Sequence, residues 1–202
     1  MKILAFDTSS SLDSCTIYDS EKGILSEFRF NIPPHKSETM IEIIKFNLSL
    51  LNLTLDSIDI IATCGGPGSF TGTRIGIATA LGLSKGTSIK CCVVNTLDIL
   101  AYSLIDHEKI IAFLTTSNDH IYFAEYIKKD KRLILQGYYL KYTLEEFLIF
   151  FNANEAVYIS EKDSKFNNIC FDNILTKSTI IAKIVDNYEK EDFNRPIKAF
   201  YF

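Results

Sequence analysis

The feature that most constrains the fold of this chain is an internal near-repeat. The stretch "KILAFDTSS" at Lys2–Ser10 returns as "KIIAFLTTS" at Lys109–Ser117. After each copy come a second strand-like run, a charged turn, a third run and then a helical pattern. A chance match over so few residues is the alternative, but the shared order of elements favours duplication. The pattern predicts two tandem α/β lobes of β-β-β-α-β-α type, 1–105 and 106–202, with the boundary near Ile105–Lys109.

The periodicity of apolar residues supports this α/β plan along the chain. A buried strand is predicted for "SIDIIATC", which ends at Cys64. Helices are predicted over about 37–52, 69–86, 144–152 and 178–190. A tandem α/β plan of this kind is typical of the actin-like (ASKHA, RNase H-like) group, in which ATP lies between the lobes. Fold alone leaves the function open.

Composition and charge exclude several classes of function. Hydrophobic residues make up 47% and charged residues 23% of the 202 residues, as in ordinary globular proteins. Because the net charge is −4, tRNA binding by the isolated chain is expected to be weak. Five cysteines without a CxxC spacing indicate a reducing compartment, and the sequence shows neither a secretory leader nor a membrane-spanning run. A cytoplasmic protein with no membrane partner is predicted.

The acids and glycines that an actin-like ATP site needs are largely missing. The first lobe has Asp7, but the turn that follows, "TSSSLDS", contains no glycine through which the backbone could approach a phosphate. The second repeat has Leu114 where the first has Asp7. A structural turn residue is the favoured interpretation of Asp7. Asp7, Ser9 and Ser10 are retained as candidates for a vestigial nucleotide cleft.

Other catalytic or metal-binding sets are not found in the sequence. His35, His107 and His120 form no pair at metal-ligand spacing. The segment "GPGSFTG" is not the nucleophile elbow of a serine hydrolase. The chain is therefore predicted to have no catalytic residue, no metal site and no cofactor of its own.

The stretch "GGPGSFTGTRIG", Gly65–Gly76, joins the predicted strand to the second helix. Glycines at such a junction often hold a phosphate, because free N–H groups and the positive end of the helix meet there. This stretch lacks the spacing and the lysine of a Walker A loop, and has Thr73 and Arg74 in place of Lys-Ser. Helix capping by Ser69 or Thr71 is the favoured interpretation, and anion binding by Arg74 stays open.

Two neighbouring helices carry more small or apolar residues than one sheet requires. Gly72, Gly76 and Ala80 form a stripe of small side chains on one helix face, which lets another helix approach closely. The preceding helix is apolar over roughly 220° of its circumference, about twice the stripe that covers a sheet. A wholly internal layer explains either feature alone, but together they favour a partner interface.

The predicted interface draws on both helices. It consists of Met40, Ile43, Phe46, Leu50, Phe70, Gly72, Arg74, Gly76 and Ala80. Replacing Gly76 with Leu is expected to break assembly and to leave the melting temperature near wild type, because replacing an exposed helical glycine costs little stability and can favour the helix.

At these residues the sequence resembles a known family. The segments "ILAFDTSS", "GGPGSFTGTRIGIATALGLSKG" and "VVNTLDILA" are similar to the TsaB family of tRNA threonylcarbamoyladenosine biosynthesis proteins, as are "HIYFAEY" and "RPIKAFYF". The family has an acid-Ala-Arg run before the tyrosine-bearing strand, where this chain has Thr115–Ser117.

The resemblance implies the actin-like two-lobe fold and a non-catalytic scaffold. Such a subunit pairs with TsaD, the homologue that transfers the threonylcarbamoyl group to adenosine 37 of ANN-decoding tRNAs, and TsaE, a small ATPase, joins the complex. ATP and metal are then expected on the partner subunits, and tRNA is reached only through the complex. A homodimer through the same helices stays open. The alternative is an independent ATPase or an M22-type peptidase, which the missing acids, glycines and histidines disfavour.

Overall fold

A computed structural model divides the chain into two compact units. The first unit contains Met1–Thr96 and Leu175–Tyr201, and the second contains Leu97–Ile174. The described residues are 1–31, 36–115, 120–130, 132–153, 155–161, 169–170, 175–189, 192–194 and 197–200. Among them, no helix is both long and apolar enough to cross a membrane.

Strands and helices are numbered in chain order. The strands are β1 (Lys2–Asp7), β2 (Asp13–Asp19), β3 (Gly23–Phe30), β4 (Ile60–Cys64), β5 (Lys90–Val94), β6 (Lys109–Thr115), β7 (His120–Lys129), β8 (Arg132–Leu135), β9 (Leu140–Thr143), β10 (Val157–Ser160) and β11 (Ile169–Cys170). The helices are α1 (Lys36–Leu50), α2 (Phe70–Ser84), α3 (Thr96–Tyr102), α4 (Leu144–Ala153) and α5 (Lys177–Asp186). Single 3₁₀ turns lie at Leu55–Ser57 and Asp192–Asn194.

The first unit is built on a five-stranded sheet with the order β3-β2-β1-β4-β5. β1, β2 and β3 form an antiparallel meander, and β4 and β5 extend the sheet in parallel from β1. β1 and β4 are buried along nearly their whole length because helices cover both faces of the sheet. On one face, Phe6 shares an apolar core with Met40 and Ile44 of α1. On the other face, Thr16 Oγ1 lies 2.7 Å from Ser178 Oγ of α5.

The second unit repeats the strand order of the first. Its sheet runs β11-β10-β6-β7-β8, and β9 also pairs with β7. Read from the β8 edge and with the additional strand β9 left out, this is again third, second, first, fourth and fifth strand. Leu97 and Leu100 of α3 share a core with Ile110 of β6, whereas Phe147 of α4 packs with Phe113 from the opposite face of that strand. The predicted actin-like fold of two duplicated α/β lobes is confirmed.

The division of the chain differs from the predicted 1–105 and 106–202. α3 follows the fifth strand of the first sheet, yet it packs within the second unit. α5 follows the last strand of the second sheet, yet it packs on β1 and β2 of the first unit. The helix predicted over 178–190 therefore belongs to the first unit. The order of elements in the sequence did not predict this arrangement, in which each of these two helices follows a strand of one unit but packs in the other.

The second unit has no room for a counterpart of α2. Only residues 161–168 separate β10 from β11, whereas α2 alone is 15 residues long. The predicted β-β-β-α-β-α pattern describes the first half, and the last helix predicted for the second half exists as α5 but packs in the first unit. Any surface formed by α1 together with α2 belongs to the first unit alone.

Candidate functional site

The glycine loop between β4 and α2 is tied to its own unit by backbone hydrogen bonds. Gly65 N donates to the Val94 carbonyl at 2.8 Å, and Phe200 N donates to the Gly65 carbonyl at 2.8 Å. Ser69 N donates to the Ser9 carbonyl at 3.2 Å. A Cβ atom added at Gly65 would lie 2.7 Å from the Phe200 ring, so the chain itself fills the space beside this glycine. A phosphate could therefore reach neither the space beside Gly65 nor the N–H groups of Gly65 and Ser69.

Ser69 caps α2, one of the two capping residues that the sequence suggests. Its Oγ accepts a hydrogen bond from Gly72 N at 3.2 Å, and its carbonyl accepts one from Thr73 N at 2.8 Å. The first of these bonds satisfies a donor that a helix N-terminus otherwise leaves open, and the second is the first regular hydrogen bond of the helix. The Gly72 N–H, on which a phosphate site could depend, is therefore engaged within the chain.

Gly72 and Gly76 bring α2 into contact with the ends of β1 and β4 in its own sheet. Thr8 Oγ1 donates to the Gly72 carbonyl at 2.6 Å. A Cβ atom at Gly72 would lie 2.0 Å from the Thr8 carbonyl oxygen, and one at Gly76 would lie 2.7 Å from Thr63 Oγ1. Both separations are shorter than real contacts allow, so this approach requires glycine. The stripe of small residues serves an internal contact.

The predicted partner interface is therefore wrong for Met40, Gly72, Gly76 and Ala80. All four are buried within the first unit, so a partner cannot touch them. A helix on a sheet hides one face, and the small stripe lies on that hidden face. A leucine at Gly76 would displace α2 from its own sheet. Contrary to the expectation from the sequence, the structure therefore predicts a lower melting temperature for this variant.

The remaining predicted residues lie at or near the surface. Phe46, Leu50 and Phe70 keep 55%, 54% and 54% of their surface exposed. Arg74 is exposed, and its guanidinium carbon lies 3.5 Å from the centroid of the Phe70 ring. Ile43 is half-buried and packs against the core. We call Phe46, Leu50, Phe70 and Arg74 the helix patch; they lie on α1 and α2, which contact each other.

Asp7 is a buried turn residue. Its Oδ1 accepts from Ser9 N at 2.9 Å and from Ser9 Oγ at 2.6 Å, and its Oδ2 accepts from Ser10 Oγ at 2.6 Å. This is the local pattern by which an aspartate closes a turn. Because both oxygens are engaged and the side chain is fully buried, Asp7, Ser9 and Ser10 do not fit the metal and phosphate groups of an actin-like ATP site.

The second unit contributes no carboxylate at the equivalent position. Leu114 is buried there in an apolar core. Among the residues that the structure describes, no group of three or more His, Cys, Asp or Glu side chains is placed to hold a metal ion. Neither repeat thus supplies an evident ligand set from its first strand.

Four cysteines of the first unit carry buried free thiols: Cys15, Cys64, Cys91 and Cys92. Burial raises the pKa of Cys15 to about 12 and that of Cys91 to about 11. Burial also raises the pKa values of Cys64 and Cys92. Because the thiolate is the reactive form, these thiols are poor nucleophiles near neutral pH.

The sequence analysis missed a carboxylate network in the second unit. Asp98 of α3 accepts hydrogen bonds from Tyr126 Oη at 2.6 Å and from Tyr139 Oη at 2.9 Å. Burial, together with the Asp98 charge, raises the pKa of Tyr126 well above its ordinary value. The tyrosines are far from Asp98 in sequence, so no motif spacing pairs them. The network fastens α3 to the second sheet.

The duplicated sheets, with helices on both faces of each, define an actin-like α/β protein. A family model described as "TsaD: tRNA N6-adenosine threonylcarbamoyltransferase" matches residues 25–161. The chain belongs to this family, and it is also similar to curated relatives named TsaB.

Those relatives are tRNA threonylcarbamoyladenosine biosynthesis proteins TsaB. The protein from Buchnera aphidicola subsp. Baizongia pistaciae is 35% identical over 147 residues, which cover 66% of this chain and 65% of the relative. The Escherichia coli protein is 29% identical over 140 residues, which cover 68% of this chain and 59% of the relative. The match therefore spans less than two thirds of the length of these relatives.

Two solved structures are among those that resemble this one. YeaZ from Pseudomonas aeruginosa is 26% identical with a TM-score of 0.62, over 69% of this chain and 66% of that protein. A protein described as uncharacterized, with similarity to peptidase YEAZ from Pseudomonas aeruginosa, is 21% identical with a TM-score of 0.75. That second likeness covers 99% of this chain and 98% of the other, and at this identity it shows the fold alone.

Proposed function

We propose that this protein is a non-catalytic component of tRNA threonylcarbamoyladenosine biosynthesis that pairs with a TsaD-like catalytic homologue through the helix patch. The names of the relatives support the pathway. The single observation that carries the role is the patch itself, an exposed aromatic and leucine surface on α1 and α2 of the first unit.

The helix patch has the chemistry of a protein interface. Aromatic residues and arginine are enriched at such interfaces, and the two helices that carry these exposed side chains contact each other. Phe46 is supported from below by Phe28, whose ring centroid lies 5.8 Å away at an edge-to-face angle. Covering the exposed half of Phe46, Leu50 or Phe70 would stabilise a complex by about 1 kcal/mol each. These three side chains are the anchors of the proposed interface.

The proposed role is non-catalytic because the polar groups at the candidate site of the first unit form hydrogen bonds within the unit itself. Both carboxylate oxygens of Asp7 are engaged by Ser9 and Ser10, and the thiol of Cys15 is held neutral by burial. We assign ATP and metal to the partner subunits. A TsaE-like ATPase would join the assembled pair in the cytoplasm, and tRNA would be reached through the complex.

A second copy of this chain is a competing occupant of the same patch. Two identical patches could meet about a two-fold axis, and a homologous partner could replace one copy with similar geometry. The proposal is that the TsaD-like protein wins this competition. Mixing the two proteins should therefore convert any homodimer into a heterodimer.

The test compares two exposed apolar residues on different units. Phe70→Glu places a charge in the helix patch, and Ile149→Glu places one on α4, where Ile149 is 74% exposed. Each variant is mixed with a TsaD-like homologue and analysed by size-exclusion chromatography with light scattering. Each is also expressed in cells depleted of their own TsaB, and the threonylcarbamoyladenosine content of tRNA is measured by mass spectrometry.

Phe70→Glu is expected to abolish co-elution and to lower the modified nucleoside, with a melting temperature near wild type. Ile149→Glu is expected to behave as wild type in both assays. Loss of assembly in the Ile149 variant but not in the Phe70 variant would place the interface on the second unit. A wild-type chain that neither assembles nor restores the nucleoside would overturn the proposed function.

A further inference from the structure

Residues 197–200 lie against the glycine loop, although more than 100 positions separate the two in the sequence. Ile197 packs on the apolar core that α1 shares with the first sheet. Phe200 N donates to the Gly65 carbonyl at 2.8 Å. The edge of the Phe200 ring fills the space beside Gly65, because a Cβ atom there would lie 2.7 Å from ring carbon Cε2. The segment is thus fastened to the first unit at Ile197 and at Phe200.

The contact continues from Phe200 through the loop to α2. A Cβ atom added at Gly66 would lie 3.5 Å from the Phe200 carbonyl oxygen and also 3.5 Å from Thr73 Oγ1. Gly66 has a φ of 88°, which glycine adopts readily, so neighbouring groups rather than a side chain of its own hold it in place. Thr73 is fully buried and directly precedes Arg74, which lies over the Phe70 ring. A shift of the loop would therefore be passed to the helix patch.

The backbone of the loop is also held by other parts of the first unit. Gly65 N donates to the Val94 carbonyl, and Thr96 N donates to the Gly66 carbonyl, both at 2.8 Å. These bonds do not involve Phe200, so the loop and the first sheet should form without its ring. The Phe200 side chain is only half-buried. Its ring therefore suits a role in adjusting the loop better than a role in holding the fold together.

We propose that Phe200 is a positioning residue for the partner interface. By packing on Gly65, it holds the glycine loop and the first turn of α2 in the arrangement that presents Phe70 to a TsaD-like partner. This inference rests on the proposed function. A surface that is ordered before binding loses less conformational entropy when the complex forms. A loop released from Phe200 should therefore bind the same partner more weakly, although the unit stays folded.

The test measures the dissociation constant of the full chain for a TsaD-like homologue by isothermal titration calorimetry. Phe200→Ala removes the ring, and Phe200→Leu keeps much of its bulk. The matched control is Phe193→Ala, because Phe193 is also half-buried but faces Lys90, at the end of β5 opposite to the loop. Melting temperatures are measured for all of these proteins.

Phe200→Ala is expected to raise the Kd about ten-fold, the effect of one additional side chain that binding must order. Phe200→Leu is expected to restore most of the affinity. Phe193→Ala should lower the melting temperature as much as Phe200→Ala does and should keep the wild-type affinity. Equal losses of affinity in the two alanine variants would show general destabilisation and overturn the proposal.

Gly65→Ala disturbs the same contact from the other side. Its Cβ would lie 2.7 Å from the Phe200 ring, and the end of that side chain can swing away, so the variant should expel the ring without unfolding the unit. It should weaken binding as Phe200→Ala does. The double variant should bind no more weakly than either single variant, because one contact can be lost only once. Additive losses would contradict the proposal.

Hydrogen exchange followed by mass spectrometry separates this inference from the proposed function. Exchange at residues 65–73 should be faster in Phe200→Ala than in Phe193→Ala, and exchange in β2 should be alike in both. If Phe200→Ala binds as wild type does while Phe70→Glu abolishes binding, the inference fails and the proposed function stands. If the wild-type chain does not bind the homologue, the proposed function fails. Faster exchange at residues 65–73 would then still show that Phe200 positions the loop, and unchanged exchange would refute it.

Discussion

The two units share one strand order, but one helix in each packs on its sheet in opposite ways: α2 through glycine and α4 through large aromatic side chains. In the first unit, α2 meets the strand ends through glycine, and Thr8 Oγ1 donates directly to the Gly72 carbonyl. In the second unit, α4 is separated from the sheet by aromatic rings. The Phe147 centroid lies 5.3 Å from that of Phe113 and 5.1 Å from that of Phe123.

This difference shows that sheet order and helix distance are set by different residues. Apolar strands with matching turns fix the order in both units. The distance follows from what stands between helix and sheet: nothing at Gly72 and Gly76, and stacked rings around Phe147. The first contact should fail when atoms are added, and the second should fail when atoms are removed.

Alkaline pH is expected to have the largest effect on the free energy of unfolding. It should destabilise the first unit at a lower pH than the second. The first unit buries thiols with an ordinary pKa of 9.0, and the second buries Tyr126 and Tyr158, with an ordinary pKa of 10.0. Burial raises the folded-state pKa of Cys15 to about 12. Because the neutral thiol is favoured in the fold, its contribution is complete below about pH 9 and is lost above it. Each such thiol costs about 1.4 kcal/mol of unfolding free energy per pH unit in that window.

Urea unfolding followed by circular dichroism between about pH 8 and about pH 11 checks this expectation. Thiol labelling reports on the first unit and tyrosinate absorbance on the second. Labelling should become rapid at a lower pH than tyrosinate formation, and the urea midpoint should fall as the pH rises. A midpoint that stays flat over this range would contradict the assignment.

Removal of a ring should break the second unit. Phe147→Ala deletes a fully buried side chain at the centre of the aromatic cluster. The lost burial and the cavity left behind should lower the unfolding free energy by about 4 kcal/mol. Urea denaturation measures this loss. Ile149→Ala on the same helix, where the side chain is 74% exposed, should cost little; equal losses in the two variants would refute the packing argument.

Addition of a methyl group should break the contact in the first unit. Gly72→Ala would place Cβ 2.0 Å from the Thr8 carbonyl oxygen, and the resulting shift of α2 should cost about 3 kcal/mol. Gly82→Ala is the control on the same helix, because nothing lies within 4 Å of its added Cβ. That change should stabilise the protein by about 0.5–1 kcal/mol through helix propensity. A Gly72 variant as stable as wild type would show that α2 can slide on its sheet.

The smallest effect is expected at Asp98. Asp98→Ala removes the acceptor for the Tyr126 and Tyr139 hydroxyls. Tyr126 is almost completely buried, so its unpaired hydroxyl should cost about 1–2 kcal/mol. Thermal unfolding of Asp98→Ala alone and in combination with Tyr126→Phe separates the two contributions. The double variant should recover part of the loss, and a further decrease would mean that Asp98 acts through another contact.

The sequence predicted the duplicated sheets because strands with apolar residues on both faces and the repeated "KI.AF" pattern are local signals. No local signal shows whether Gly72 faces the sheet or the solvent, because glycine has no side chain whose polarity would distinguish the two faces. The excess of apolar residues on α1 predicted that some of them are exposed, and Phe46 and Leu50 are. Met40 on the same helix is buried instead. The packing of α5 on the first sheet rests on contacts between residues far apart in the chain, such as Thr16 and Ser178, which no local pattern predicts.

The placement of α5 on the first sheet has a consequence for the order of events during synthesis on the ribosome. The hydroxyl of Thr16 meets that of Ser178, 162 residues later in the chain. At translation rates of about 5–20 residues per second, roughly ten to thirty seconds pass between the synthesis of β2 and that of α5. Throughout that interval the nascent chain presents β1 and β2 with one face uncovered. A chaperone that binds exposed apolar surface would therefore meet the protein before the chain is complete.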